Sequence, residues 1–446
     1  MNNTIAVSNK ELLSETKECK RKVGLCDRLK SNASLILIAI MFILGSIMAL
    51  LFHIPIKSVM KNYSYDVIVL VVIMELFTYL VSETGIMQFL AIKIAELSKG
   101  RKRICLMLFG SLMFLISSCL NNVTAVLMIL PIVFVLFQAL EVNQKYISVF
   151  FAVILALSNT GGASTGIGDL PAIILLSSGI CDFFSYTIHA FPLFAFTSGI
   201  LLIVWGLGVK KENDDGSVRN LAISNLKSQY KNIKIRFDVV KYLVFIFGCM
   251  FIAWSLIPQN IIPPEIIAVL GYVVAMVMCS VKKIKIEQLM DLKSLLTIAS
   301  FLFISQVVNQ TGILSIIAEY FQTNISNPKL LVMVFMVLTS LVSGVFSAGP
   351  AAAAMLPVIV DICNGPLAAQ SDWVAVAYAA AICSGSSLFM WSASAGFILT
   401  GKINSAGIEE SGGKKISWGV SSYLKYGLIN YSIQLSIALV VIAIVL

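Results

Sequence analysis

The chain has 446 residues, of which 58% are hydrophobic and only 12% charged, and its mean hydropathy is +0.92. So few charges cannot cover a water-soluble surface, which disfavours a soluble enzyme, a single-span receptor and an outer-membrane barrel and predicts a polytopic helical membrane protein. The net charge of +9 could suggest a nucleic-acid partner, so where the 32 basic residues sit matters more than their sum.

Residues 1–31 are polar and basic with no apolar core of their own, and read as a cytoplasmic tail rather than a cleaved signal peptide. Apolar runs of membrane-entering length then follow at 33–54, 66–81, 104–118, 123–140, 147–158 and 190–209. After a break they resume at 238–257, 261–281, 293–318, 329–346, 351–362, 373–390 and 426–446, and several in each half are too short to span. The one long hydrophilic interruption, 210–236, is read as a cytoplasmic linker between a first transmembrane half, 32–209, and a second, 237–446. Nine cysteines are scattered without a CxxC pair, so neither a disulfide framework nor a zinc site is indicated, and no cofactor beyond a coupling ion is expected.

Sorting Lys and Arg by connection places 27 of them in 1–30, 98–103, 140–147, 210–236, 281–293 and 402–425. The alternate connections hold three: Lys57, Lys61 and Lys329. By the positive-inside rule this predicts a cytoplasmic N-terminus and an external C-terminus in what reads as a bacterial inner membrane. The surplus charge is then a topology signal, and no nucleic-acid partner is expected.

Three short matches recur in order. Ser82-Glu83-Thr84-Gly85-Ile86 is echoed by Asn309-Gln310-Thr311-Gly312-Ile313, Met128-Ile129-Leu130-Pro131 by Ala354-Met355-Leu356-Pro357, and Gly161-Gly162 through Pro171 by Gly385-Ser386 through Ala395, at offsets of 227, 226 and 224. A nearly constant offset suggests a duplicated unit. The charge count starts one copy outside and the other inside, so the expected fold is all-α with two inverted-topology repeats, as in secondary transporters.

Two elements per repeat join short apolar arms through a polar, glycine-rich break. In the first repeat, 117–124 interrupts a predicted re-entrant hairpin over 104–139, although two tilted spans fit the charge count equally. The second break, 158–169, interrupts what would otherwise be one membrane helix. Irregular backbone at membrane depth survives only where protein or a wet cavity covers it, and there it offers amides to anions and oxygens to cations. The candidate substrate- and ion-binding residues are therefore Asn121, Asn122, Thr124, Asn159, Thr160, Gly161, Thr165 and Asp169, with Ser347, Ser386 and Ser387 at the equivalent breaks of repeat two. The glycines act through their backbone.

Each polar residue also has a structural reading. Asn121 and Asn122 could hydrogen-bond neighbouring helices, and Asp169 could cap the half-helix that starts near Pro171. Glu83 could be a proton carrier or lie at a membrane end, and Glu75 could make an interhelical hydrogen bond. Asp361, His53 and His189 are read as structural. Na⁺ is assigned to Asn122, Asn159 and Asp169, and proton transfer to Asp169 with Glu83.

At these residues the chain resembles the ion-transporter superfamily, in the branch of NhaD-type sodium/proton antiporters, arsenite permeases and the melanosomal P protein, which is related to the divalent-anion sodium symporters. The resemblance covers roughly 60–205 and 285–446 and rests on SETG at 82–85, on LNNVTAVLMILP at 120–131 and on NTGGASTGIGDLP at 159–171. It implies hairpin tips and broken helices that bind ion and substrate, site roles for Asn122, Thr124, Asn159, Thr165 and Asp169, and a homodimer. The chain departs from the pattern at Asn121, Leu170 and Ala172, and repeat two has Ala348 and Gly349 where the family places polar residues.

The expected function is a secondary transporter that moves a small oxyanion or carboxylate with Na⁺ or H⁺ by alternating access, with a Na⁺/H⁺ antiporter as the alternative. A membrane enzyme would need a catalytic cluster, and no HExxH or GxSxG is present. Paired inverted breaks favour alternating access over a channel.

Overall fold

The computed structural model describes residues 33–446 apart from 62, 64, 141, 210–215, 230–234, 260, 283–291, 313–315, 317–319, 321–322, 326, 366, 394 and 410–414. The basic tail, Cys19, Cys26 and parts of the 210–236 connection lie outside the described residues.

The described chain is helical, with two short 3₁₀ turns and one isolated β-bridge between Glu409 and Lys415. In chain order the helices are α1 (Ala33–Leu51), α2 (Ile56–Lys61), α3 (Tyr65–Ser82), α4 (Ile86–Ser98), α5 (Lys102–Ser117), α6 (Asn122–Ala139), α7 (Gln144–Ala163), α8 (Leu170–Ser177) and α9 (Phe183–Gly208). They continue as α10 (Ser217–Gln229), α11 (Phe237–Leu256), α12 (Pro264–Val281), α13 (Leu292–Gln310), α14 (Pro328–Phe346), α15 (Ala348–Asn364), α16 (Ser371–Ser386), α17 (Gly396–Ser405) and α18 (Val420–Val445). Eight of the described helices are long and apolar enough to cross a membrane, so the chain is an integral membrane protein.

Two helices form the centre. Every residue of α7 from Tyr146 to Ala163 is buried, and so is every residue of α16 from Val374 to Ser386. A helix buried on every side presents no face to solvent or lipid and lies inside the bundle. Helix α5 packs on α7 and α14 packs on α16, while α9 and α18 cover the same pairs in their own repeats. Across the repeats α7 touches α16 and α18, and α9 touches α16.

The duplication is visible in atomic contacts. A Cβ added to Gly161 on α7 would land on the Phe114 carbonyl and 3.0 Å from the Ser117 Cβ of α5. One added to Gly385 on α16 would land on the Ser340 carbonyl and 2.7 Å from the Ser343 Cβ of α14. In both repeats a glycine therefore lets the broken helix cross the first hairpin arm at backbone contact. The Tyr186 hydroxyl donates to the Ala163 carbonyl at 2.6 Å and the Tyr423 hydroxyl to the Ser387 carbonyl at 2.8 Å. Each tyrosine is the fourth residue of a 26-residue helix, and each holds the end of the broken helix before it.

The hairpin geometry follows from lengths. The arms α5 and α6 have 16 and 18 residues, about 24 and 27 Å at 1.5 Å per residue, against about 39 Å for the 26 residues of α9, which packs along α5. The Thr165 hydroxyl donates to the Ser118 carbonyl at 2.5 Å, which sets the tip beside the break of α7, and α8 continues beyond it. The tip of the first hairpin thus ends where the broken helix opens.

Part of the hydrophilic interruption folds as α10, whose Ala222 and Leu226 are buried against the bundle beside α6. Lys227 lies 3.3 Å from Glu96 of α4, at the end where Lys99, Arg101 and Arg103 also lie.

Candidate functional site

The first hairpin tip is organised by Asn121. Its Oδ1 accepts from the backbone amides of Val123 at 2.9 Å and Thr124 at 3.3 Å, which satisfies the otherwise unpaired first turn of α6. Asn121 therefore serves as a helix cap, and Thr124 is half-buried in the turn it caps. A sequence that keeps Asn, Asp, Ser or Thr here preserves the tip whatever else it binds.

Asn122 has no such task. It is 2% exposed, and neither its Oδ1 nor its Nδ2 has a hydrogen-bond partner; the buried Ser117 hydroxyl one turn before the tip also has none. Leaving a buried amide unpaired costs about 1–3 kcal/mol, so a native chain keeps one where something else completes it. A Cβ on Gly162 would sit 2.8 Å from both Asn122 amide atoms and 2.7 Å from the Asp169 Cβ, so Asn122 and Asp169 meet across a glycine that leaves them room.

Asp169 follows the break and caps α8. Its Oδ1 accepts from the Leu170 amide at 2.9 Å, and Pro171, lacking an amide hydrogen, fits the first helical turn. The cluster thus collects an amide, a hydroxyl and a carboxylate, an oxygen donor set suited to hard cations. Among the described residues no group of three His, Cys, Asp or Glu could hold a metal ion.

The other predicted residues divide between two places. Asn159 does not join Asn122; its Nδ2 lies 3.5 Å from the Ser387 hydroxyl of repeat two. Ser387 also receives Gln434 Nε2 at 3.1 Å and donates to the Cys383 carbonyl at 3.2 Å, so α7, α16 and α18 share a buried polar chain. Ser386 donates to the Cys383 carbonyl at 2.9 Å. Thr160 turns away towards α9, where it pairs with Ser198 at 2.8 Å, and Gly161 serves the crossing with α5. Ser347, at the second tip, is half-buried with φ at 84°.

Glu83 is exposed in the turn after α3, where the neighbouring Thr84 carbonyl accepts the Arg236 amide at 3.0 Å, and no hydrogen bond or ion pair brings its carboxylate to the cluster. Glu75 is half-buried and engaged by a partner. His53 and Asp361 are exposed. His189 contacts the Ser185 carbonyl at 2.7 Å and packs edge-on to Trp373, as a structural residue would.

Sequence reasoning passed over Ser117, Gln434, Asn430 and the two tyrosines. Ser117 stood at the edge of the first break. Gln434 and Asn430 were polar residues within the last apolar run, and Asn430 bonds the Trp205 indole at 2.7 Å and the Ala152 carbonyl at 3.1 Å. Polar residues in a lipid-spanning run were the available signal.

Residues 27–383 match the family model described as a citrate transporter, CitMHS. The chain belongs to that family. An uncharacterized transporter of Mycobacterium bovis is 26% identical over 351 residues, covering 77% of this chain and 79% of its own. The pig P protein is 28% identical over 140 residues, which span 30% of this chain and 16% of that protein. The YdaH transporter of Alcanivorax borkumensis, described as having an unusual topology, shares the fold at a TM-score of 0.52 and 11% identity, over 92% of this chain and 97% of that one. The predicted superfamily membership and all-α polytopic membrane fold are borne out, and this member of the citrate transporter family is a transporter rather than an enzyme.

Proposed function

We propose that the protein is a secondary active transporter that moves a small anion, an oxyanion or carboxylate, together with Na⁺ or H⁺ by alternating access. The observation that carries this reading is the unpaired Asn122 amide, which meets Asp169 over Gly162, with the unpaired Ser117 hydroxyl close by where the hairpin tip meets the broken helix. These three groups hold the coupling cation. Asp169, as the one carboxylate of the cluster, neutralises it or carries the proton in its place. The tip amides and the open backbone of the breaks receive the anion. The family's description as a citrate transporter supports a carboxylate cargo. The basic connections lie in the cytoplasm of a bacterial cell, with the C-terminus outside, and two copies form a dimer.

Uptake of labelled citrate and other carboxylates or oxyanions into proteoliposomes, driven by an inward Na⁺ or H⁺ gradient, tests the reading. Proton movement on adding Na⁺ alone, with no anion required, would sink it. That outcome would favour a Na⁺/H⁺ antiporter, a reading to which the isolated carboxylate of Asp169 lends some support.

A further inference from the structure

A duplicated fold offers two equivalent pockets, one at each meeting of hairpin tip and broken helix. In this chain the two have diverged. The repeat-one pocket keeps Ser117, Asn122 and Asp169, and the hydroxyl and both amide atoms of the first two have no protein partner. At the repeat offsets, the positions of Asn122 and Asp169 are taken in repeat two by Ala348 and Ala393, both buried.

Most of the described polar groups around the second break are consumed internally. Ser343, the counterpart of Ser117, donates to the Ile382 carbonyl at 2.8 Å. Ser386 and Ser387 both donate to the Cys383 carbonyl, and Ser387 is held further by Gln434 and Asn159. Ser392 donates to the Phe389 carbonyl at 2.6 Å, inside the break. The glycines of the second hairpin lie against leucines, where Gly162 lies against Asn122 and Asp169. A Cβ on Gly349 would meet the Leu170 Cδ2 at 2.6 Å, and one on Gly344 the Leu388 Cδ2 at 2.9 Å. Among the described residues the second tip retains the half-buried Ser347 hydroxyl, and Thr339, further down α14, has a lone unpaired hydroxyl. A single hydroxyl cannot replace the shell of oxygens that a cation gives up on leaving water.

We infer that the coupling cation binds in repeat one only, so that each protomer carries one cation site and repeat two serves as a dry packing partner. The inference rests on the reading of Ser117, Asn122 and Asp169 as the cation site, and it fixes the coupling stoichiometry that this reading leaves open. The transport cycle then moves a single Na⁺ or a single H⁺ through this pocket per turnover, and its dependence on that cation is hyperbolic.

The test uses the full-length protein, purified and reconstituted. Radiolabelled Na⁺ binding is counted per protomer, and uptake is followed against Na⁺ concentration and, separately, against pH. One Na⁺ per protomer with a Hill coefficient of 1, or no Na⁺ binding but a one-proton pH profile that disappears in Asp169→Asn, supports the inference. Two bound Na⁺, or a Hill coefficient approaching 2 for either cation, overturns it while leaving the cation site in repeat one intact. Asn122→Leu, checked for a monodisperse profile, and the milder Ser117→Ala separate the two levels of argument. An unchanged cation response in both variants would overturn the underlying assignment of the site as well. A tenfold or greater loss of cation affinity in Asn122→Leu with a smaller loss in Ser117→Ala is the expected pattern.

Discussion

Replacing Asn122 with leucine distinguishes a ligand from a structural side chain, because the two roles change stability in opposite directions. Leucine has nearly the shape of asparagine but no amide. If the amide has no partner in the ligand-free protein, removing it relieves a desolvation cost of about 1–3 kcal/mol, and the variant should be at least as stable as the wild type without substrate ions. The wild type, by contrast, should gain about 2.7 kcal/mol of stability when the coupling cation is raised to roughly a hundred times its dissociation constant. The variant should gain none. Thermal denaturation in detergent, with and without Na⁺ and across pH, measures both quantities on one sample. A ligand-free variant that is clearly less stable than wild type would show that Asn122 has a structural partner. A variant that keeps the full cation-dependent shift would show that the amide is not a ligand, and either result refutes the reasoning.

Gly162→Ala should cut cation affinity by about 5- to 150-fold in the binding assay, because its methyl presses on Asn122 and Asp169 and overpacking of this kind costs about 1–3 kcal/mol. Gly161→Ala and Gly385→Ala should both abolish folded, monodisperse protein on size exclusion, since each methyl meets a backbone carbonyl that cannot yield, whereas Gly199→Ala, with nothing within 4 Å, should be neutral or stabilising by up to about 1 kcal/mol. Tyr186→Phe and Tyr423→Phe should cost similar amounts, about 1–3 kcal/mol each by thermal denaturation, because each leaves the same carbonyl of its repeat without its donor. Burial pushes the Glu96 carboxyl up, but hydrogen bonds from Lys93 and Lys227 outweigh it and hold the group below its ordinary range. The Glu96–Lys227 contact should therefore be present above the ordinary carboxylate range and lost as pH falls below it, and at this exposed site it contributes less than about 1 kcal/mol. Hydrogen exchange in α10 should rise slightly in Glu96→Gln at neutral pH and be insensitive to that substitution in acid.

The helical class, the duplication and the two kinds of break were legible in the sequence because each is a matter of composition or period. A run of apolar residues too short to span, a proline recurring at an offset of 226 as Pro131 and Pro357, and a glycine recurring at an offset of 224 as Gly161 and Gly385 need no coordinates to be seen. Asn122 and Asp169 were also legible, since polar groups at membrane depth are costly enough to stand out. What the sequence could not do was sort those residues by neighbour. Asn121 and Asn122 are adjacent and chemically identical, yet one closes the first turn of α6 and the other is left unpaired, a difference set by which way each side chain leaves the tip.

The tertiary structure alone decided that Asn159 belongs to a chain with Ser387 and Gln434, that Thr160 serves α9, and that Glu83 lies apart from the cluster. Those assignments depend on contacts between residues more than two hundred positions apart or on the rotation of a helix about its axis, and no local pattern encodes either. The sequence determined that this chain is a duplicated membrane transporter with two broken helices, because burying apolar surface and satisfying backbone in lipid leave few alternatives. The packing of the two repeats determined which of their polar residues remain free to bind, because a hydrogen bond within the protein removes a donor or acceptor from the site as surely as a substitution would.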